Sequence, residues 1–451
     1  MPSTGESNGD AGLEVTIESA PPAETPPAPK SPFLTSLRAT ASRVAEACRP
    51  GANLATQTEF LLAFALAVIA GVAFYYTISA NQKPFDYTPR IAGALLKGRL
   101  GIDDVRNLSW LNELVPWNKT HYSVFPLGAV LCMMPVALLE AKGLVQAFPA
   151  QMVASILAAA AVFYFFLLSR IQGSSLLRRA VLALFPVFAT WTWCNVGFAG
   201  AWQLALGFAL VGGAGALYYA LVAKRYFVAG IFFAIAWGNR TEIILTTPIF
   251  LYFCWLSNPG DPAKPELNRQ RWWQTARCAI AFVIVPTLLG IATMAYNYAR
   301  FGSIFDFGYS HIPGVLKEPW YRHGLFSLHA IPWNIYKMLF EGMDDVPKFP
   351  YLRPHPFGCS IFVASPILFL LFREGGKHRA LYWIAIAVLT FALWCHGNPG
   401  GWQFSYRYGM ILLPWMFLII LANGPAKLSV IEAVLFVSSV AINAIATYQL
   451  K

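Results

Sequence analysis

Three short stretches of the sequence hold the residue types that group-transfer chemistry needs. The first, NQKPFDYTPRIAGALLKGRL (81–100), follows a long apolar run and puts Asp86 within about two turns of its end, at a depth where an unpaired charge is costly. A carboxylate there can take the proton of an attacking hydroxyl or hold that hydroxyl in line. The second, YNYARFGSIFDFGYSH (296–311), sets Arg300, Asp306, Tyr309 and His311 among glycines and aromatics. The third, HGNPGGWQFSYRYGMILLPW (396–415), surrounds Arg407 with Trp402, Phe404, Tyr406 and Tyr408 at the mouth of another apolar run. An arginine in that position is costly unless a carboxylate, a phosphate or backbone carbonyls receive it, and its planar fork of donors matches phosphate oxygens.

A departing phosphate needs cationic donors against its developing charge. The smallest assignment that meets both needs makes Asp86 the catalytic base and gives the phosphate to Arg407 or Arg300. Tyr122, Tyr406, Asp306 and His121 complete the candidate substrate contacts. Plainer readings stay open beside these: Asp86 solvated at an interface, and Arg407 snorkelling from an aromatic belt. In WGNRTE (237–242), Arg240 and Glu242 either pair with each other or lend the arginine to a lipid phosphate.

The elements that must position these residues follow from composition. The 451 residues are 57% hydrophobic and only 12% charged, about half the charged fraction of a soluble domain. Most of the surface must therefore face lipid, and the fold class expected is an all-α, polytopic helical integral membrane protein. Apolar segments recur near 58–80, 149–170, 177–196, 202–222, 226–238, 243–257, 277–297, 358–372, 380–396, 407–422 and 427–449, which gives about 11 transmembrane helices. The net charge of +11 comes from short basic clusters between these runs, which mark inner loops rather than a nucleic-acid surface. The clusters at Arg38–Arg49, Arg170–Arg179, Lys224–Arg225, Lys264–Arg277 and Arg373–Arg379 place the N-terminus inside.

That threading leaves two large outer loops, 81–148 and 298–357, and a short one at 397–406. The apolar piece 124–139 would upset the charge rule if it crossed, so it is expected to enter or lie along the outer face as a juxtamembrane helix. Residues 88–97 read as a further interfacial helix. Residues 1–57 form a separate region, a disordered cytoplasmic tail with a basic amphipathic helix at 33–49, ahead of one membrane domain at 58–451. The seven cysteines show neither CxxC spacing nor a Cys/His cluster; a bridge between Cys359 and Cys395 is the one pairing their positions suggest.

Several of these pieces together resemble the GT-C superfamily of membrane glycosyltransferases, in its bacterial protein-mannosyltransferase-like branch. The layout is a first span, an outer loop opening with Asp86, the Ala/Leu-rich AGALLKGRL (92–100), then HYSVFPLG (121–128). YNYARFGSIFDFGYSH and GGWQFSYRYGMILLPW are similar to segments of such proteins too. The resemblance spans most of 58–425 and implies transfer of a sugar from a polyprenyl-phosphate-linked donor to an acceptor on the outer, periplasmic face of a bacterial inner membrane. It implies Asp86 as the loop-one acid. The donor is a substrate, not a cofactor; no cofactor is implied, and a divalent metal bridging acid and phosphate is compatible with these residues. The expected partners are membrane lipids, that donor and an acceptor of unspecified class. A polytopic transporter or a non-catalytic relative are the alternative readings; a transporter should show repeated halves with broken spans at matching depths, and no internal repeat is evident.

Overall fold

A computed structural model describes residues 54–78, 85–103, 105, 114–258, 265–401 and 403–450. The expectations for the tail 1–53, and for Asp104, Glu113 and Trp402, lie outside the described residues. The chain is mostly helical, at 70%, with three two-stranded pairings among the described residues that a purely all-α reading did not foresee.

In chain order the helices are α1 (Leu54–Thr77), α2 (Tyr87–Leu96), α3 (Leu127–Cys132), α4 (Met134–Ala141), α5 (Ala150–Leu168), α6 (Leu176–Phe188), α7 (Thr192–Gly197) and α8 (Ala201–Leu217). They continue as α9 (Tyr226–Asn239), α10 (Thr247–Leu256), α11 (Pro265–Phe301), α12 (Ile331–Ile335), α13 (Ile361–Ala364), α14 (Arg379–Cys395), α15 (Leu413–Ala422) and α16 (Val430–Gln449). Helix α1 starts a few residues earlier than the tail boundary at 57 expected from sequence.

Among the described residues five helices are long and apolar enough to cross a membrane, and four shorter apolar helices accompany them. Two of the short ones, Thr241–Leu256 and Arg407–Ala422, begin as 3-10 turns. Pro248 and Pro414 follow at the start of each α-helical part; a proline has no N–H to give the preceding turn, so the tighter turn is the local solution there.

The helices sort by burial. Helices α5 and α8 sit in the middle, and α15 is buried on nearly every side. Helices α1, α11 and α16 keep most of their apolar length exposed, as at Leu61, Ile69, Val430 and Val437. Whole helices with apolar outer faces are compatible with a surface that meets lipid, since water would penalise each of those side chains.

Glycine lets the central helices touch backbone to backbone. A Cβ at Gly128, which ends HYSVFPLG, would lie 2.4 Å from Cα of Gly238 in α9. One at Gly230 would lie 2.1 Å from the carbonyl oxygen of Phe282 in α11.

The piece 124–139 becomes α3 and α4, of 6 and 8 residues, neither long enough to span a bilayer alone. Helix α2 matches the helix expected at 88–97, but Ile91, Ala92 and Ala94 are buried in protein, against α4, rather than against lipid. Between them lies an unforeseen hairpin, β1 (Leu114–Trp117) with β2 (Thr120–Ser123). Its turn residues Asn118 and Lys119 both take positive φ, 49° and 69°, the backbone that a two-residue hairpin loop requires.

The bundle has two unlike ends. At one, Glu59 receives Arg179 (2.8 Å) and Arg170 (3.2 Å), and Glu432 receives Arg178 and Arg373, both at 3.0 Å. Arg178 also donates to the carbonyls of Ile420 and Leu421, closing the end of α15. Arg178 and Arg179, which in the sequence mark an inner loop, are buried cross-links. At the other end lie the hairpin, the loop 302–357 and the turns at 240–242 and 396–406.

Candidate functional site

The loop end gathers two clusters. The first forms where α9 and α14 finish and the 3-10 turn Arg407–Leu412 starts. Arg240 caps α9 in extended backbone and pairs with Glu242 at 2.9 Å. Its guanidinium carbon lies 4.7 Å from the ring centre of Tyr408, and that of Arg407 lies 5.1 Å from the same ring. Arg407 is buried; one terminal nitrogen donates to Gly401 O at 2.8 Å and the other to the Tyr408 hydroxyl at 3.3 Å. Its Nε–H is sealed from solvent and has no hydrogen-bond partner among the described residues. An anion would match a buried donor of this kind beside a second arginine.

His396, which sequence reasoning passed over, completes this cluster. Its ring lies 5.7 Å from that of Tyr408, and Nδ1 donates to Asn398 O at 2.7 Å, which leaves Nε2 without a hydrogen bond among the described residues. Burial lowers its pKa below the ordinary histidine range, and the charges of Arg240 and Arg407 push the same way. The one sequence signal was its place between an apolar helix and Asn-Pro-Gly-Gly. Tyr406, by contrast, is buried with its hydroxyl bonded to Asn334 Oδ1 (3.0 Å) and Leu393 O (3.2 Å). It offers no free hydroxyl, and Tyr408 is the tyrosine that meets both arginines.

The second cluster joins the hairpin to the end of α11. Arg300 is buried and gives all three donor nitrogens to protein: to Ser123 O, to Asn297 Oδ1 at 2.7 Å and to Tyr296 O at 3.3 Å. It lies over Tyr296 and Phe301 as well. So engaged, it ties α11 to β2 and has little left for a phosphate. Tyr122 packs its ring on Phe301 at 5.7 Å. Asp306 accepts from Gly308 N at 2.6 Å and holds His311 Nε2 at 2.7 Å. The His311 ring lies between Trp117, at 4.4 Å, and Phe301, at 5.5 Å. His121 pairs by its backbone with Ile102, and its Nδ1 is buried with no hydrogen-bond partner among the described residues.

An aromatic path connects the two clusters. The hydroxyls of Tyr309 and Tyr321 lie 2.8 Å apart, and Tyr321 meets His396 edge-on at 6.2 Å.

Asp86 is bonded into neither among the described residues. It occupies the N-cap position of α2 without capping it, and Oδ1 accepts from Arg90 Nε at 2.8 Å. Its other oxygen makes no hydrogen bond among the described residues. Phe85 and Tyr87 pack on Trp202 at 5.0 and 6.3 Å, and Ala201 N donates to Phe85 O. Asp86 is thereby fixed where α2 and α8 begin. Among the described residues no ion pair or hydrogen bond joins it to Arg300 or Arg407. Asp103 is exposed, paired with Arg99 at 3.1 Å. Cys359 and Cys395 are both free thiols.

No protein-family model matches this chain, and no curated protein matches it.

Proposed function

We propose that the chain is a polytopic membrane glycosyltransferase of about 11 spans, with an inward N-terminus in a bacterial inner membrane. It moves a sugar from a polyprenyl-phosphate-linked donor to an acceptor at the loop end, which faces outward. The observation that carries this reading is the unmatched, buried Nε–H of Arg407 beside Arg240. Two guanidiniums against the single carboxylate of Glu242 leave one net positive charge, which suits a phosphate or diphosphate at headgroup level. The lipid-facing helices supply the bilayer in which a polyprenyl tail would lie, and the resemblance in loop one supplies the sugar.

In the reaction, an acceptor hydroxyl attacks the anomeric carbon and the bond from that carbon to the phosphate oxygen breaks. The phosphate leaves with the electron pair, stabilised by Arg407 and Arg240, and Asp86 takes the proton. Asp86 is suited by its half-used carboxylate. Helices α3 and α4 would lie in the outer leaflet without crossing, their polar ends covered by α2, α9 and α11.

The test is binding of a polyprenyl phosphate to full-length protein in nanodiscs, with transfer measured from a labelled lipid-linked sugar. Arg407→Lys is expected to weaken binding by at least about tenfold, because an ammonium does not reproduce the planar fork. A folded lysine variant with unchanged affinity and transfer overturns the assignment.

A further inference from the structure

Helix α11 has 37 residues, about 55 Å of helix, whereas the hydrocarbon of a bilayer takes about 20 residues. Its C-terminal end is fixed by Arg300 on β2, and its middle lies along α9, Phe282 against Gly230 and Leu289 against Gly238. The two helices therefore run parallel, and α9 begins at Tyr226, four residues before Gly230. Residues 265–277 of α11 run past that start for about 20 Å. Their sequence, PELNRQRWWQTAR, sets Arg269, Arg271 and Arg277 against Glu266.

Among the described residues, the aromatic and cation–π contacts of this overhang fall on one side. Arg271 lies over Trp255 at 3.5 Å, and Trp272 meets Trp255 at 4.6 Å. The opposite side presents Glu266, Arg269, Gln270, Trp273, Gln274 and Arg277, all exposed, at the i, i+3, i+4, i+7, i+8, i+11 positions of a single helical stripe. Trp273 is 64% exposed and stands between two arginines.

We propose that this stripe docks on the anionic headgroups of a phospholipid surface. Arg269 and Arg277 are eight residues apart, about 12 Å along the helix, and reach separate phosphates. Trp273 between them takes the level of the glycerol backbone, the wet boundary where an amphipathic indole is favoured over either water or hydrocarbon. Three arginines against one glutamate give the overhang the charge that anionic lipid attracts. Length, periodicity and charge thus agree on one occupant. The inference rests on the membrane placement of α11 and not on the transferase reading.

Full-length protein in nanodiscs of equimolar phosphatidylcholine and phosphatidylglycerol tests it, with retained lipid counted by native mass spectrometry. Wild type is expected to retain phosphatidylglycerol preferentially, and Arg269→Gln with Arg277→Gln to reduce that preference on the order of tenfold. Brominated phosphatidylglycerol should quench tryptophan emission by an increment that Trp273→Phe removes. Equal retention of the two lipids by wild type overturns the proposal, as does an unchanged preference in the double variant. Displacement of the lipid by inorganic phosphate would assign the arginines to a soluble anion. A dimer that only the double variant dissociates would assign the stripe to a second copy. Either result overturns the proposal too.

Discussion

Arg407 and Arg300 read alike in the sequence, each an arginine among tyrosines at an apolar boundary. The structure separates them atom by atom: each nitrogen of the Arg300 guanidinium makes a hydrogen bond, whereas Arg407 keeps Nε sealed and without a partner among the described residues. That difference was not legible, because Ser123 and Asn297 reach Arg300 only through tertiary packing. Asp86 calls for a test that parts catalysis from structure. Asp86→Asn is expected to lower transfer roughly 10²–10⁴-fold with normal expression, whereas Arg90→Met, which removes only the ion pair, should cost far less. Equal losses in the two variants would make the pair a brace for α2. His396 sets a pH dependence. Its folded-state pKa lies below the value of about 6.5 expected unfolded, so below that pH the unfolded chain binds more protons. Stability should therefore fall as pH drops through about 6.5, and level off once the folded imidazole protonates. A bound phosphate reverses the repulsion from Arg240 and Arg407, so affinity for polyprenyl phosphate should rise over the same interval. Titration of both quantities, with His396→Gln flattening each, checks the assignment.

Hydrophobic runs made nearly every long helix legible as an element, since a 20-residue apolar stretch has few other uses. The hairpin at 114–123 was hidden because its turn is Asn-Lys rather than Asn-Gly, and the positive φ at Lys119 is imposed by the flanking pairing. The glycine of HYSVFPLG was visible as a motif, but its purpose was not: it lets α3 lie directly on Gly238, two residues before Arg240. Gly128→Ala would drive a methyl into that backbone and is expected to cost about 1–3 kcal/mol, seen as a lower Tm. Gly93→Ala in α2, where a Cβ meets nothing within 4 Å, should be neutral or stabilise by up to about 1 kcal/mol. If both variants melt alike, the backbone contact does not hold α3 in place.

Across the whole molecule the two ends follow opposite rules, one braced by buried ions and the other lined by rings and loops. Basic residues between apolar runs gave the sequence its threading, yet Arg178 spends its charge wholly inside the protein. Glu432→Gln would leave Arg178 and Arg373 sharing an uncharged partner and is expected to destabilise by about 3–5 kcal/mol, with Arg373→Gln, at the half-exposed partner, costing less. A thermal shift of the purified protein that ranks these two the other way would deny Glu432 its central place. The same pair has a consequence in time. Arg178 and Glu432 are 254 positions apart, and a ribosome adding about 5–20 residues per second needs roughly 13–50 s to make the second after the first. For that interval the growing chain holds Arg178, in the first turn of α6, without the Glu432 carboxylate that receives it. This latch of the bundle therefore closes late, once α16 has been made.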